Sequence, residues 1–142
     1  MDKGVYRIID ANLNRALEAV RVAEDMARFW KSDKKATGRL KDLRHDIFAA
    51  VKTLRAEYIE ELLSARDSVG DIGTRTTCSE RLKESPMDIF LANVQRGKES
   101  LRVLEEVLKL FDSGASGKMK KLRFKLYDIE KNIAGAVIRK KN

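Results

Sequence analysis

The sequence predicts an all-α protein: four long helices arranged as two duplicated helical hairpins, a pseudo-twofold bundle joined by one long polar loop. Three observations carry that expectation. The 142 residues hold one proline and eight glycines, so little interrupts a helix. Apolar residues recur at helical spacing, and no stretch alternates as a strand would. Residues 11–25 also align with residues 92–106 at an offset of 81 without a gap, as if one helical unit occurred twice.

The first helix is expected over residues 6–30, which contain neither Gly nor Pro and place Arg21/Asp25 and Glu24/Arg28 at i,i+4. Ala16, Ala19, Ala23 and Ala27 form a narrow strip of small residues along it. Gly97 and Ser100 stand at the positions equivalent to Ala16 and Ala19, so the two helices are expected to cross there. Ser32 or Asp33 would cap a second helix over residues 35–54, with Leu40, Leu43, Ile47, Phe48 and Val51 as its apolar face. A shorter helical stretch, 56–63, follows. Residues 64–79 show neither helical nor strand period and read as a loop. Ser85 and Pro86 then serve as N-cap and first residue of a helix to about residue 111. Gly114 and Gly117 bracket a turn before a last helix over 118–139. That helix echoes the second: Leu43 and Arg44 fall on Leu122 and Arg123, and Ile47 and Phe48 on Leu126 and Tyr127. One domain results, with hairpins over about 5–63 and 85–139.

Composition narrows the function classes. Charged residues make up 37% of the chain and the formal net charge is +8, which favours an anionic partner. No run approaches the ~18 apolar residues that span a bilayer, so no membrane role is expected. The opening residues lack signal-peptide character, and Cys78 is the single cysteine, so a cytoplasmic location without disulfides is expected. One histidine, His45, argues against a Cys/His metal site; a lone helix histidine is more often structural than catalytic. Charge alone leaves a phosphorylated metabolite and a nucleic acid open. Lys118, Lys120, Lys121 and Lys125 lack interleaved aromatic residues, which ranks nucleic acid last.

The aligned segments share more than their apolar scaffold. Asn12/Asn93, Arg15/Arg96, Glu18/Glu99, Arg21/Arg102 and Glu24/Glu105 recur, although solvated charges can drift at little cost. Asn14, Glu18, Arg21 and Asp25 share one helix face, flanked by Arg15, while Asn12 and Glu24 fall elsewhere, so part of the set should point inward. Two readings stay open. The set is an ion-pair lattice between the hairpins, or it lines a polar pocket in which Arg15, Arg21, Arg96 and Arg102 hold phosphate oxygens. The loop is the second candidate, because structureless connections beyond ~12–15 residues are uncommon and tend to be functional. It interleaves Arg66, Asp67 and Asp71 with Gly70, Gly73, Thr74 and Thr76. Such glycines let backbone N–H groups approach an oxyanion, and carboxylates with hydroxyls suit Mg²⁺. No Walker-type P-loop pattern is present.

Residues 7–15 with Glu18, Arg21, Glu24 and Asp25, then Leu43-Arg44-His45, then Ala65-Arg66-Asp67 with Asp71, Gly73 and Thr74, and finally 92–106, resemble a small helical domain of thiamine biosynthesis. In many bacteria that domain is fused in front of thiamine-phosphate synthase; elsewhere it stands alone. The Ala-Asn-x-x-Arg-x-x-Glu-x-x-Arg-Val motif occurs twice, and the resemblance spans nearly the whole chain. It implies an alternative hydroxymethylpyrimidine-phosphate kinase, with ATP and Mg²⁺ as cofactors and a phosphorylated pyrimidine as substrate. The synthase's own (β/α)8 barrel is not expected here. On this view Arg21, Arg102 and Arg66 would neutralise the transferring phosphoryl group, and Asp67 and Asp71 would hold Mg²⁺. Asn12, Arg15, Asn93, Arg96, Glu18, Glu99, Gly73 and Thr74 would bind substrate. The alternative is a non-catalytic module that binds a thiamine precursor or docks to the synthase. The small-residue strip could also pack across a homodimer.

Overall fold

The computed structural model describes residues 2–75 and 82–141; Thr76, Cys78 and the end of the expected loop lie outside them. Helix-start chemistry sets most boundaries. The Asp2 carboxylate accepts from the Gly4 N–H at 2.7 Å and opens α1 (Lys3–Asp25). A π-helical turn, Met26–Trp30, extends it, and Ser32 leaves it in the left-handed region at φ 52°. Asp33 caps α2 (Lys34–Ala50) by accepting from the Ala36 N–H at 2.9 Å. Ser85 opens α4 (Pro86–Val107) through a full capping box with Asp88, and Pro86 sits in its first turn. Both of these starts agree with the sequence.

Three expectations need correction. The described residues form five α-helices rather than four, because residues past 50 make a separate α3 (Lys52–Ser64). Val51, at φ −111° and ψ 7°, breaks the helix, and the turn lets Tyr58 of α3 cover Tyr6. Tyr6, Tyr58 and Phe111 then form a triad with ring centroids 5.8–5.9 Å apart. The last helix, α5 (Ser113–Lys141), begins before Lys118 and contains both glycines expected to form a turn. Its start is fixed by Asp112, whose carboxylate accepts from the N–H groups of Gly114 and Ala115 at 2.8 and 3.2 Å. Phe48, expected on the apolar face of the second helix, is exposed, as are Phe29 and Trp30 at the end of the first. Arg55, Arg28 and Lys31 respectively lie over their rings.

Packing follows from the apolar stripes. Leu40, Leu43, Ile47, Leu101, Leu104, Met119, Leu126 and Ile129 are fully buried between the helices, each contributing about 1.5–3 kcal/mol. The most extensive pairing is α1 with α4, followed by α4–α5, α1–α2 and α2–α5. At the α1–α4 crossing a Cβ on Gly97 would lie 2.9 Å from Leu126 Cδ2 and 3.8 Å from Ala19 Cβ. The small-residue strip thus serves close helix approach within this chain.

The four long helices stand in the cyclic order α1, α2, α5, α4. The pairs Glu24–Arg44, Arg39–Asp128, Arg123–Glu105 and Tyr6–Phe111 show that each is antiparallel to its neighbours. The chain must therefore cross from the end of α2 to the far end of α4. Helix α3 makes the first part of that crossing. The following loop climbs back along α1, tied by Arg66 to Asp10 and by the Arg7 guanidinium to the Asp67 carbonyl. This course lays the loop against the α1–α4 groove. No strand occurs among the described residues, and no helix there is long and apolar enough to cross a membrane.

Candidate functional site

Helical periodicity puts Asn12 and Arg15 of α1 beside Arg96, Glu99, Ser100 and Val103 of α4, because the helices run antiparallel past the Ala19/Gly97 crossing. These side chains and Gly73 of the loop line a cleft of about 460 Å³. A second cleft of about 430 Å³ adjoins it on the other side of α1. Its α1 wall is Arg7, Asp10, Asn14, Arg15 and Glu18, and its loop wall is Arg66, Asp67, Ser68 and Asp71. Arg15 lines both.

Within the first cleft, the Asn12 Nδ2 donates to the Ile8 carbonyl at 2.9 Å, which fixes the amide of this buried residue. Its second N–H and its carbonyl oxygen remain as chemical capacity. Glu99 accepts from the Gln95 amide at 2.9 Å. Arg15 is exposed and makes no ion pair with any described residue. In the second cleft Arg66 grips Asp10 with both ends of its guanidinium, at 2.8 and 2.7 Å. That bond and the Asp10 charge raise the Arg66 pKa above its already high ordinary value. The loop glycines do not point their N–H groups outward as expected. Gly70 donates to the Asp67 carboxylate at 2.8 Å and Gly73 to the Asp71 carboxylate at 2.9 Å. A Cβ at Gly70 would meet the Asp67 carboxylate, which would have to give up its bond to the Gly70 N–H to make room.

The geometry so far concerns residues 7–103, and the family comparison covers them all: the model of the ThiD2 family matches residues 7–132. The chain belongs to the ThiD2 family. It is similar to thiamine-phosphate synthase of Nostoc sp. (strain PCC 7120), 37% identical over 132 residues, 92% of this chain and 36% of that relative. Thiamine-phosphate synthase of Synechocystis sp. (strain PCC 6803) is 35% identical over 93% of this chain and 37% of the relative. That of Thermosynechococcus vestitus (strain BP-1) is 39% identical over 87% and 34%. The ThiD2 chain thus spans about a third of the length of these relatives. No solved structure matches it significantly.

Within this ThiD2 chain the recurring polar set divides. Arg21 and Arg102 lie outside both cleft linings. Arg21 pairs with Glu24 at 4.0 Å and Asp25 at 3.7 Å; Arg102 pairs with Glu105 and Glu106, both at 3.0 Å. The buried Glu24 accepts from Arg44 of α2 at 2.8 Å, and the buried Glu105 from Arg123 of α5 at 2.8 Å. The Glu105 bond raises the Arg123 pKa. These ion pairs fall within each hairpin, not between hairpins. Asn93 repeats the Asn12 bond by donating to the Ile89 carbonyl at 2.9 Å, but it lines neither cleft. Thr74 also stands outside both, its hydroxyl donating to the Asp71 carbonyl at 3.4 Å. His45 lines a smaller hollow of about 260 Å³ with Leu17, Arg44 and Phe48, away from both clefts.

Sequence reasoning passed over Ser100, Arg7, Asp10 and Ser68 as site residues. Arg7 and Asp10 were findable, because they lie on the turns of α1 that precede Asn14 and Arg15. Among the described residues no three Asp, Glu, His or Cys groups converge to cage a metal. Asp67 and Asp71 nevertheless line one cleft with hard carboxylate oxygens. That donor set fits Mg²⁺, which takes one or two carboxylates and fills the rest of its shell with water and substrate phosphate.

Proposed function

We propose that this chain is a thiamine-biosynthesis domain that phosphorylates hydroxymethylpyrimidine phosphate to the diphosphate with ATP. The observation that carries the reading is the pair of adjoining polar clefts with the unpaired Arg15 between them. A phosphorylated pyrimidine suits the α1–α4 cleft: Arg15 and Arg96 meet its phosphate, and Asn12 and Ser100 offer donors and acceptors to its ring. Bound ATP supplies the phosphoryl group, with Mg²⁺ neutralising its oxygens. The acceptor is already a phosphate, so positioning and charge compensation by the arginines suffice without a strong base. Arg66, fixed by Asp10, and the carboxylates of Asp67 and Asp71 form the wall where the nucleotide phosphates and their cation would sit. The matching bonds of Glu24–Arg44 and Glu105–Arg123 support treating the two hairpins as copies of one unit.

A second reading rests on the fact that the chain spans about a third of its relatives. On that reading the domain binds the precursor or docks to the synthase without chemistry of its own. Incubation with ATP, Mg²⁺ and hydroxymethylpyrimidine phosphate separates the two. The kinase reading expects ADP and pyrimidine diphosphate, lost in Asp71→Asn. A ligand-dependent rise in melting temperature without ADP would establish the second reading instead.

A further inference from the structure

The α2–α5 edge of the bundle lies opposite the α1–α4 clefts, and its charges take no part in the chemistry proposed above. A groove of about 280 Å³ runs there between the end of α2 and the start of α5. Ala49, Ala50 and Leu122 form its apolar wall, and Lys118, Lys121 and Lys125 stand along its α5 side. Those lysines fall at i, i+3 and i+7, one stripe over about 10 Å of helix. Asp46 is the only carboxylate among the described residues that line it, and it pairs with Lys125 at 3.8 Å. Lys118 and Lys121 make no ion pair with any described residue. The opposite pattern stands on α3. Its exposed side carries Glu57, Glu60 and Glu61 together with Ile59 and Leu63, and Leu63 is 51% exposed. Ile59 and Leu63 are one turn apart, beside Glu60. Glu60 and Glu61 make no ion pair with any described residue. The helix's own cations, Lys52 and Arg55, sit in its first turn, and Arg55 lies over the Phe48 ring.

We infer that these two surfaces are the halves of one interface: two copies of this chain pair, each seating its α3 in the α2–α5 groove of the other. Ile59 and Leu63 of one copy cover Ala49, Ala50 and Leu122 of the other, and Glu60 and Glu61 face Lys118 and Lys121. The small side chains of Ala49 and Ala50 let a helix come close. Helix α3 starts two residues after Ala50, so both halves stand at one end of the bundle. That placement lets both contacts form about one twofold axis. Within one chain the pairing is not made, because α3 packs on α1 instead, where Tyr58 meets Tyr6 and Phe111. A nucleic-acid backbone suits the groove less well. Only two of its cations are unpaired, and its apolar wall offers nothing to a phosphodiester. The interface draws on no residue of the two clefts and does not depend on the kinase reading.

Sedimentation equilibrium of the whole chain tests this. The parent is expected to dimerise with a dissociation constant below about 100 μM in dilute salt, and more weakly in about 0.5 M NaCl. Lys121→Glu and Glu60→Lys each place like charges in both contacts and should weaken the dimer at least about tenfold. Mixed one to one, those two chains meet with opposite charges in both contacts, so the mixture should dimerise as the parent does. Leu63→Ser, which changes no charge, should also weaken the dimer. All three side chains are exposed, so the far-UV circular dichroism of each variant should match the parent's. A monomeric parent overturns the inference. A dimer indifferent to the substitutions uses another face and also overturns it. Loss of the dimer in the single variants without recovery in the mixture would give the groove to a different acidic partner, and the inference falls with it.

Discussion

The recurring motif has two ends with opposite fates. At one end Glu24 and Glu105 are buried, and each is held by an arginine from the next helix, Arg44 or Arg123, with Arg21 or Arg102 alongside. At the other end Arg15, Arg96 and Glu99 face a cleft of about 460 Å³, and Arg15 has no ion partner among the described residues. In the sequence the two ends look alike, since both recur with the same residue types. Recurrence therefore marks positions under constraint but does not say whether the constraint is a fold or a ligand. Burial and the presence of an internal partner make that distinction. A charge removed from water must be matched within the protein, whereas a charge left open to a cleft can be matched by something that arrives.

The comparison is broken most forcefully at the buried end. Glu105→Ala leaves Arg123 and Arg102 without their shared carboxylate and should cost about 2–3 kcal/mol in denaturant melts, with ligand affinity unchanged. A loss below about 0.5 kcal/mol would show that this end is not structural. Next in size, Ser85→Ala removes the capping box that sets the start of α4 and should cost about 1 kcal/mol, read in the same melts. Arg21→Ala or Arg102→Ala should cost less than about 1 kcal/mol, because each guanidinium is half exposed and pairs across the surface. Calorimetry with the pyrimidine phosphate should find those variants equal to the parent.

The smallest effect is a pH dependence beside the buried pair. The Lys109 hydrogen bond, helped by the Arg102 charge, holds the Glu106 carboxyl below its ordinary value. Its contribution to stability is therefore present above the ordinary glutamate range and is lost as pH falls through the depressed value of the folded state. Stability profiles of Glu106→Gln and the parent should differ slightly at neutral pH and converge in acid. Divergence toward acid would reverse the assigned sign.

Local chemistry was legible in the sequence, and long-range partnership was not. Asp33, Ser85 and Pro86 announced their helix starts because a cap acts over three residues. The crossing at Ala19 and Gly97 was readable because only small residues allow so close an approach. The start of α5 was missed: Gly114 and Gly117 suggested a turn, but the Asp112 cap outweighs their weak helix propensity. The helical stretch over 56–63 was readable, but the break at Val51 that starts α3 at Lys52 was not, and neither was the packing of Tyr58 on Tyr6 and Phe111, which no local period encodes. In the site, the Arg66–Asp10 bond joins residues 56 apart, so nothing near either residue predicts it. Nor could the spacing of Arg15 and Arg21 reveal which is free, since Arg21 is paired through Glu24 with a helix that the motif does not contain.

The most direct measurement is the affinity of hydroxymethylpyrimidine phosphate for Arg15→Ala and Arg21→Ala side by side, each with its melting temperature. The account predicts at least about a tenfold loss of affinity in Arg15→Ala with an unchanged melting temperature, and parent-like affinity in Arg21→Ala. Loss of affinity in Arg21→Ala with none in Arg15→Ala would contradict it, placing the ligand at the end of the motif that the ion pairs close.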